Sequence, residues 1–301
     1  MPSVKRNLLT FFSVTRLQNA FLVVLAQYLS AIFILGSTYP VADLLQNLEL
    51  HLLVGSSFFV VTAGYLINQY YDLPKDLINK PYKSMIDLQR TPSSLMRWYA
   101  LLNLVALVLS LFVSFRATLF FLGYLLSIWL YSHRLRRLLI WGTLFSAFLA
   151  VSPITALFLY YQYLEWKIIG FALFLFLLLW IIALVKDLEN LPGDLAVGLK
   201  TLATSWGIEA SQRLIRIVLG VELALSLGLV YFYDLSLMRY YFFASTLLFA
   251  LLFVWVRRLK APKNYSETHW ILKLFVLLGT LSILFLDLDR FAELKAFIFA
   301  Y

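Results

Sequence analysis

The chain has 301 residues, of which 62% are hydrophobic and only 14% are charged, and its formal net charge is +9. Soluble domains carry about a quarter of charged residues, so this composition excludes an ordinary soluble domain and predicts a polytopic membrane protein. The chain has no cysteine, which excludes disulfides, a thiol nucleophile and a thiolate metal site. The three histidines, His51, His133 and His269, are too scattered for a histidine metal site, and we expect each of them in an interfacial loop.

Nine apolar runs are long enough to cross a membrane, which takes about 20 mainly apolar residues in a helix. We therefore predict an all-α protein with a single transmembrane domain, residues 1–301, in which residues 1–15 form an interfacial segment. The tightest division between two spans lies at residues 115–118. The predicted spans are residues 16–37, 50–70, 97–115, 117–132, 139–161, 167–186, 211–232, 240–257 and 270–287.

The distribution of positive charge predicts the orientation of the chain. Most of the 25 Lys and Arg residues fall on the side of the membrane that holds the N-terminus. By the positive-inside rule this side is the cytoplasm, which places the C-terminus across the membrane. Topology and contact with anionic lipids therefore explain much of the net charge, and nothing indicates a nucleic-acid partner. The opposite side retains Arg116, Lys167, Arg239, Arg290 and Lys295.

A polar motif follows the second predicted span, where Asn68, Asp72 and Asp76 recur at every fourth residue. On a helix, residues four apart are separated by about 6 Å along the axis and share a face. One cation can therefore bind between the two carboxylates and a ligand, with the Asn68 amide oxygen one turn earlier. Pro74 lies inside the motif and removes one helix hydrogen bond, so we expect Asp76 on a kinked or restarted turn.

A second acidic cluster follows the sixth predicted span on the same face and contains Asp187, Glu189, Asn190 and Asp194. Its position four spans after the first motif suggests a pseudo-repeat, in which the second and sixth spans face each other across one cavity. Mg²⁺ prefers oxygen ligands and is commonly bound by one or two carboxylates together with substrate phosphate oxygens. The two clusters therefore predict a shared Mg²⁺ site for a diphosphate, in which the metal makes diphosphate a better leaving group.

Basic residues on the same face could hold the diphosphate, because Arg binds phosphate oxygens in pairs and Lys acts as a point charge. For each of these basic residues, orientation of the chain is an equally good explanation. With two amides added, the candidate diphosphate-binding residues are Asn68, Lys75, Lys80, Arg134, Arg136, Arg137, Lys186 and Asn190.

Three segments in this order carry a resemblance to a known family: Asn68-x-x-x-Asp72-x-x-x-Asp76, the loop Tyr131-Ser132-His133-Arg134-Leu135-Arg136-Arg137, and Asp187 with Gly193-Asp194, Gly198 and Thr201-Leu202. Together they resemble the UbiA superfamily of intramembrane prenyltransferases over nearly the whole chain. The resemblance implies a helical bundle around a central cavity open to the lipid, and transfer of a polyprenyl group from its diphosphate to a lipophilic acceptor. It also assigns the binding of Mg²⁺ and diphosphate to Asn68, Asp72, Asp76, Asp187 and Asp194, and the catalytic chemistry to the four aspartates among them.

The chain departs from the family's pattern in both motifs. Asn190 stands where relatives often carry Asp, so the second cluster pairs Asn190 with Asp194, and Asp187 and Glu189 are nearby substitutes. Residues 83–86 replace the usual continuation of the first motif, in a loop that we expect over the active site. Because of these departures, a family member with reduced or lost activity is an alternative interpretation of the sequence.

The segment Tyr70–Pro81 is most similar to two branches of the family. One adds geranylgeranyl to geranylgeranylglyceryl phosphate, and the other contains the chlorophyll synthases. We favour the ether-lipid reaction, with prenylation of a quinone precursor or of a tetrapyrrole, of the chlorophyll or haem O type, as alternatives.

A hypothesis from another class is a membrane transporter or lipid-binding protein, since acids in membrane segments often mark ion pathways. Transporter sites, however, usually lie near the bilayer midplane on broken helices. The acidic clusters of this chain are predicted at helix ends, which favours the enzyme.

Overall fold

The computed structural model describes residues 16–35, 39–82, 84, 91–162 and 165–299. Within these ranges the chain is almost entirely helical, and its β-bridge, between Leu139 and Thr201, is isolated. The prediction of an all-α fold is confirmed. The predicted interfacial segment 1–15, and all of the divergent segment 83–86 except Ser84, lie outside the described residues.

Nine of the described helices are long and apolar enough to cross a membrane, which confirms the predicted number of spans. Three further helices in the series below are too short to cross a membrane, and they are labelled α2, α8 and α12. In chain order the helices are α1 (Leu17–Ser30, continued by a π-helical turn, Ala31–Leu35), α2 (Val41–Gln46), α3 (Leu48–Asn79), α4 (Pro92–Val113), α5 (Phe115–His133), α6 (Leu139–Tyr161), α7 (Trp166–Glu189), α8 (Leu191–Ala196), α9 (Leu202–Phe232), α10 (Arg239–Trp255), α11 (Pro262–Ser282) and α12 (Leu288–Phe299).

Several spans extend beyond the apolar runs that predicted them, and two of these extensions bear on the site. Helix α3 continues through Pro74 to Asn79, so the first polar motif belongs to the helix itself and the expected restart at Pro74 is not observed. Helix α9 begins at Leu202 and contains a break at Gly207, where φ is 85°. Hydropathy misses both extensions because their polar residues lower the mean hydropathy, although the backbone stays helical.

Side-chain caps fix where several spans begin. Thr91 accepts a hydrogen bond from the backbone N–H of Ser94, and Ser114 accepts one from Ala117. Such a cap satisfies a backbone donor that a helix start leaves without an intrahelical partner. The Ser114 cap explains how α4 and α5 can be separate helices with a single residue between them.

The loops alternate between two faces of the bundle. On one face, α12 packs against the segment that leads into α2. The Glu293 carboxylate accepts a hydrogen bond from Val41 N at 2.8 Å, and the Arg290 guanidinium donates to the Tyr39 carbonyl. The polar motifs at the ends of α3 and α7 lie together on the other face.

Buried apolar side chains form two main clusters, one in each half of the chain. The first joins α1, α3, α5 and α6 around residues such as Phe121 and Leu157. The second joins α7, α9, α10 and α11 around residues such as Leu219 and Phe249. Because lipid is as apolar as these side chains, the clusters gain stability from close packing more than from escape from solvent. The first polar motif lies at the end of α3, a helix of the first cluster, and the second lies at the end of α7, a helix of the second cluster. The candidate site therefore lies between the two halves.

Candidate active site

The two polar motifs are joined by the side chain of Asn79, at the end of α3. Its Nδ2 donates to the Asn190 carbonyl at 3.1 Å, and its Oδ1 accepts from the Gly193 N–H at 2.9 Å. A Cβ atom at Gly193 would collide with the Asn79 amide and lie 2.7 Å from the Lys75 carbonyl oxygen. Glycine at this position therefore lets α8 lie directly against α3.

Charges of opposite sign alternate where the two helices meet. The Lys75 ammonium lies 3.7 Å from Asp72 Oδ1 and 3.3 Å from Asp194 Oδ1. Asp72 also contacts the Arg136 guanidinium, which comes from the 3₁₀ turn Leu135–Arg137 between α5 and α6. The side chains of Lys75 and Asp194 are 8% and 1% exposed, respectively. One buried cation thus bridges a carboxylate of each motif.

Several oxygens at this junction have no hydrogen-bond donor among the described residues. They are both carboxylate oxygens of Asp194, Asp72 Oδ1 and Asn190 Oδ1, all buried. Burial of such oxygens without a donor is unfavourable. Asp72 Oδ1 and Asp194 Oδ1 are engaged in ion pairs, whereas Asp194 Oδ2 and Asn190 Oδ1 are available to a cation or a polar ligand.

Asn68 lies one turn before Asp72 and contacts Ser132, near the end of α5. The Ser132 hydroxyl is 2.7 Å from Asn68 Oδ1 and 2.9 Å from the Ile128 carbonyl oxygen. A hydroxyl has one proton, so it can donate to only one of these oxygens. Rotation of the Asn68 amide by half a turn would let Ser132 donate to Ile128 and accept from Nδ2, which would leave Oδ1 for a metal ion.

Burial lowers the pKa of the Arg136 guanidinium, and the neighbouring Asp194 and Asp187 carboxylates oppose this effect. Arg136 stays protonated because arginine is the most basic of the ordinary side chains. Asp187 thus lies near the same junction. Among the described residues, however, no three Asp, Glu or His side chains lie close enough together to hold a metal ion unaided.

A second polar chain connects the acidic cluster to α11. Glu189 contacts Lys80 Nζ through Oε1 at 3.4 Å and His269 Nδ1 through Oε2 at 2.6 Å. Glu189, which the sequence suggested as a substitute ligand, is therefore engaged with two partners. The expectation of a loop position for His269 is wrong, because this residue is buried within α11.

The remaining predicted residues divide between the junction and the surface. Asp76 is buried one turn after Asp72, and Lys186 is partly buried at the end of α7. Arg134 and Arg137 are exposed. Of the three arginines in this loop, Arg136 is the one whose described contacts include a carboxylate of the motifs.

Sequence reasoning missed three residues that organise the site: Asn79, Ser132 and His269. The first two lie within segments that carry the family resemblance, so their positions were visible, although their partners were not. His269 gave no signal, because its partner Glu189 is 80 residues away in the chain.

Comparison with known families agrees with these features. The UbiA prenyltransferase family matches residues 24–279, a range that contains both polar motifs. Among curated proteins, the digeranylgeranylglyceryl phosphate synthase of Thermococcus sibiricus is 29% identical over 209 residues, which cover 68% of this chain and 71% of that protein. The enzyme of the same name from Saccharolobus solfataricus is 30% identical over 174 residues, 56% of this chain and 60% of the relative. The match to the latter thus spans about three fifths of the relative's length.

Solved structures share the fold over nearly all of the chain. A structure of digeranylgeranylglyceryl phosphate synthase in membranes superposes with a TM-score of 0.68 at 20% identity, covering 95% of this chain and 99% of that one. A UbiA homologue from Archaeoglobus fulgidus, bound to GPP and Mg²⁺, gives the same TM-score at 13% identity and covers 91% of this chain and 99% of its own. At these identities the likeness establishes the fold alone. With the family match over most of its length, the chain belongs to the UbiA prenyltransferase family and is a multi-pass membrane prenyltransferase.

Proposed function

We propose that this prenyltransferase transfers a geranylgeranyl group from its diphosphate to geranylgeranylglyceryl phosphate, in a Mg²⁺-dependent reaction that forms an ether lipid. The observation that carries the proposal is the Lys75 ammonium, held between Asp72 of one motif and Asp194 of the other. Two carboxylates, one from each motif, hold a cation at this position, as they would hold the Mg²⁺ of a metal–diphosphate complex.

The residues present fit Mg²⁺ by their chemistry. Mg²⁺ takes oxygen ligands, and the junction has buried carboxylate and amide oxygens without hydrogen-bond donors among the described residues. Bound there, Mg²⁺ would neutralise the diphosphate and assist its departure. The proposed ligands, some of which would act through water, are Asn68, Asp72, Asp76, Asp187 and Asp194.

The chain's own cations bind and orient the diphosphate. Lys75 reaches the junction from α3 and Arg136 from the turn before α6, so they can hold phosphate oxygens from two sides. The C–O bond between C1 of the prenyl chain and the diphosphate breaks, and its electron pair leaves with the diphosphate. The acceptor hydroxyl oxygen then bonds to C1, and its proton passes to the released diphosphate or to water. We further propose supporting contacts to the diphosphate from Lys80, Lys186 and Asn190.

The proposed acceptor follows the names of the curated relatives, which are digeranylgeranylglyceryl phosphate synthases. A quinone precursor or a tetrapyrrole would use the same junction and the same donor chemistry. The proposed orientation places the junction on the cytoplasmic face, because the loops around it carry most of the Lys and Arg residues.

The test is turnover by the purified chain with geranylgeranyl diphosphate and Mg²⁺. Three acceptors are compared, geranylgeranylglyceryl phosphate, an aromatic quinone precursor and a tetrapyrrole, and both diphosphate release and the lipid product are measured. We expect turnover with the first acceptor and its loss with a chelator. Product from another acceptor alone would replace the proposed substrate, and no turnover with any acceptor would favour transport or lipid binding.

Variants of the junction test the assignment of its residues. Asp72→Asn and Asp194→Asn should each reduce turnover about a hundredfold or more, because each removes a negative charge that would bind the metal ion. Asp289→Asn changes an exposed carboxylate in α12 on the other face and should leave turnover unchanged. Full activity in Asp72→Asn would contradict the proposed site.

A further inference from the structure

A second feature lies on the outer side of the turn that supplies Arg136. Leu135 and Leu138 of this turn head an apolar groove of about 290 Å³. Below them, Trp141 and Phe148 of α6 form one wall, and Phe176 of α7 contributes to the other. Trp141 is 72% and Phe148 is 57% exposed, so the groove opens towards the surrounding lipid.

The head of the groove carries uncompensated positive charge. Arg134 and Arg137 each precede a groove residue, and both side chains are exposed. Neither forms an ion pair with a carboxylate among the described residues, whereas Arg136 between them turns inward to Asp72. Two exposed guanidinium groups thus lie at the head of the apolar groove.

We propose that this groove docks the lipid acceptor, with the acceptor's phosphate on Arg134 and Arg137 and its prenyl chain in the groove. The inference rests on the proposed function, because it takes the acceptor to be a prenylated glycerol phosphate. Its occupant follows from charge. A phosphate monoester carries about 1.5 to 2 negative charges near neutral pH, which matches two arginines, whereas a phosphodiester lipid carries one. Arg also binds phosphate oxygens in pairs.

The position of the groove suits delivery of an acceptor to the junction. Phe145 of the groove stacks on Tyr131 of α5, with 6.4 Å between ring centroids. Ser132, which follows Tyr131 at the end of α5, contacts Asn68 of the first motif. One short turn therefore presents Arg136 to the donor diphosphate and its two neighbouring arginines to the acceptor phosphate. This division keeps the two anionic substrates on opposite sides of the turn.

The experiment separates the two substrates kinetically. We expect the double variant Arg134→Gln/Arg137→Gln to raise the KM for geranylgeranylglyceryl phosphate about tenfold or more, since charge-assisted hydrogen bonds are lost. The KM for geranylgeranyl diphosphate should not change. Leu144→Trp, which adds bulk inside the groove, should raise the same acceptor KM without touching an arginine. Arg116→Gln, an exposed arginine on the opposite face, is the matched control.

A binding measurement distinguishes failure of this inference from failure of the proposed function. Binding of geranylgeranylglyceryl phosphate is measured without donor and Mg²⁺, in the presence and absence of phosphatidylglycerol, for the parent and each variant. Weaker binding in the double variant, with little competition from phosphatidylglycerol, supports the acceptor site. If the parent turns over and the variants bind the acceptor as tightly as the parent does, the inference alone is overturned. The inference is likewise overturned if the variants raise only the KM for geranylgeranyl diphosphate. Equal competition by phosphatidylglycerol would make the groove an ordinary anionic-lipid site. No turnover by the parent with this acceptor would overturn the proposed function and the inference built on it.

Discussion

Asn79 and Gly193 fit together across the two polar motifs, with the Asn79 amide hydrogen-bonded to the Gly193 N–H at 2.9 Å and no space left for a β-carbon. The contact spans 114 residues of sequence. It brings Asp194 of α8 within 3.3 Å of the Lys75 ammonium on α3. The geometry of the charged junction therefore depends on two uncharged residues.

Gly193→Ala should separate α8 from α3 and reduce turnover sharply. Overpacking of this kind costs about 1–3 kcal/mol of stability, and here it also moves Asp194 away from Lys75. Thermal unfolding and steady-state turnover of the purified variant are the measurements. Asn79→Ala should not rescue Gly193→Ala, because the backbone oxygen of Lys75 would still lie 2.7 Å from the new methyl group.

A matched control for this substitution is Gly123→Ala in α5. A Cβ atom at Gly123 has no neighbour within 4 Å, and alanine favours the helix by about 1 kcal/mol over glycine. Gly123→Ala should therefore fold and function normally. If Gly193→Ala matches this control in both stability and turnover, the close approach of α8 and α3 is not required.

Arg136→Gln should raise the KM for the prenyl diphosphate, by about tenfold to a hundredfold, because a charge-assisted contact to phosphate is lost. The acceptor KM should change little. Arg258→Gln, an exposed arginine beyond α10 in the loop before α11, provides a control for a general loss of positive charge. An equal effect of the two substitutions would assign Arg136 to topology and not to the donor.

Glu189 and His269 should act as a coupled pair that holds α11 against the second motif. Their side chains lie 2.6 Å apart and are mostly buried, at 11% and 10% exposure. We expect Glu189→Gln and His269→Ala to destabilise the protein by similar amounts, with a coupling energy of about 1 kcal/mol or more in the double variant. Thermal or denaturant unfolding of all four proteins measures this coupling, and simple additivity of the two effects would show that the contact contributes nothing.

Glu222 should be replaceable with a gain in stability. Its side chain is fully buried in α9, and neither carboxylate oxygen has a hydrogen-bond donor among the described residues. Burial of a polar group without a partner costs about 1–3 kcal/mol. Glu222→Leu should therefore raise the melting temperature. Glu222→Gln should gain less, because its amide remains polar. A marked loss of stability in Glu222→Leu would indicate that the carboxyl group has a partner in the membrane-embedded protein.

The sequence by itself determined the membrane class, the nine spans and the pairing of two acidic motifs, because these depend on local hydropathy and spacing. It also located Asn68, Asp72, Asp187 and Asp194 as candidates, since polar side chains at the ends of apolar runs are conspicuous. Local pattern was less reliable at Pro74, where tertiary packing keeps α3 intact to Asn79.

Only the tertiary structure decided which side chains meet. Lys75 bridges the two motifs, Asn79 fits against Gly193, and His269 engages Glu189, all across long separations in sequence. It also divided three adjacent arginines, turning Arg136 inward and leaving Arg134 and Arg137 outside. Composition cannot encode such a division, because the direction of each side chain depends on the local turn and on partners that come from other helices.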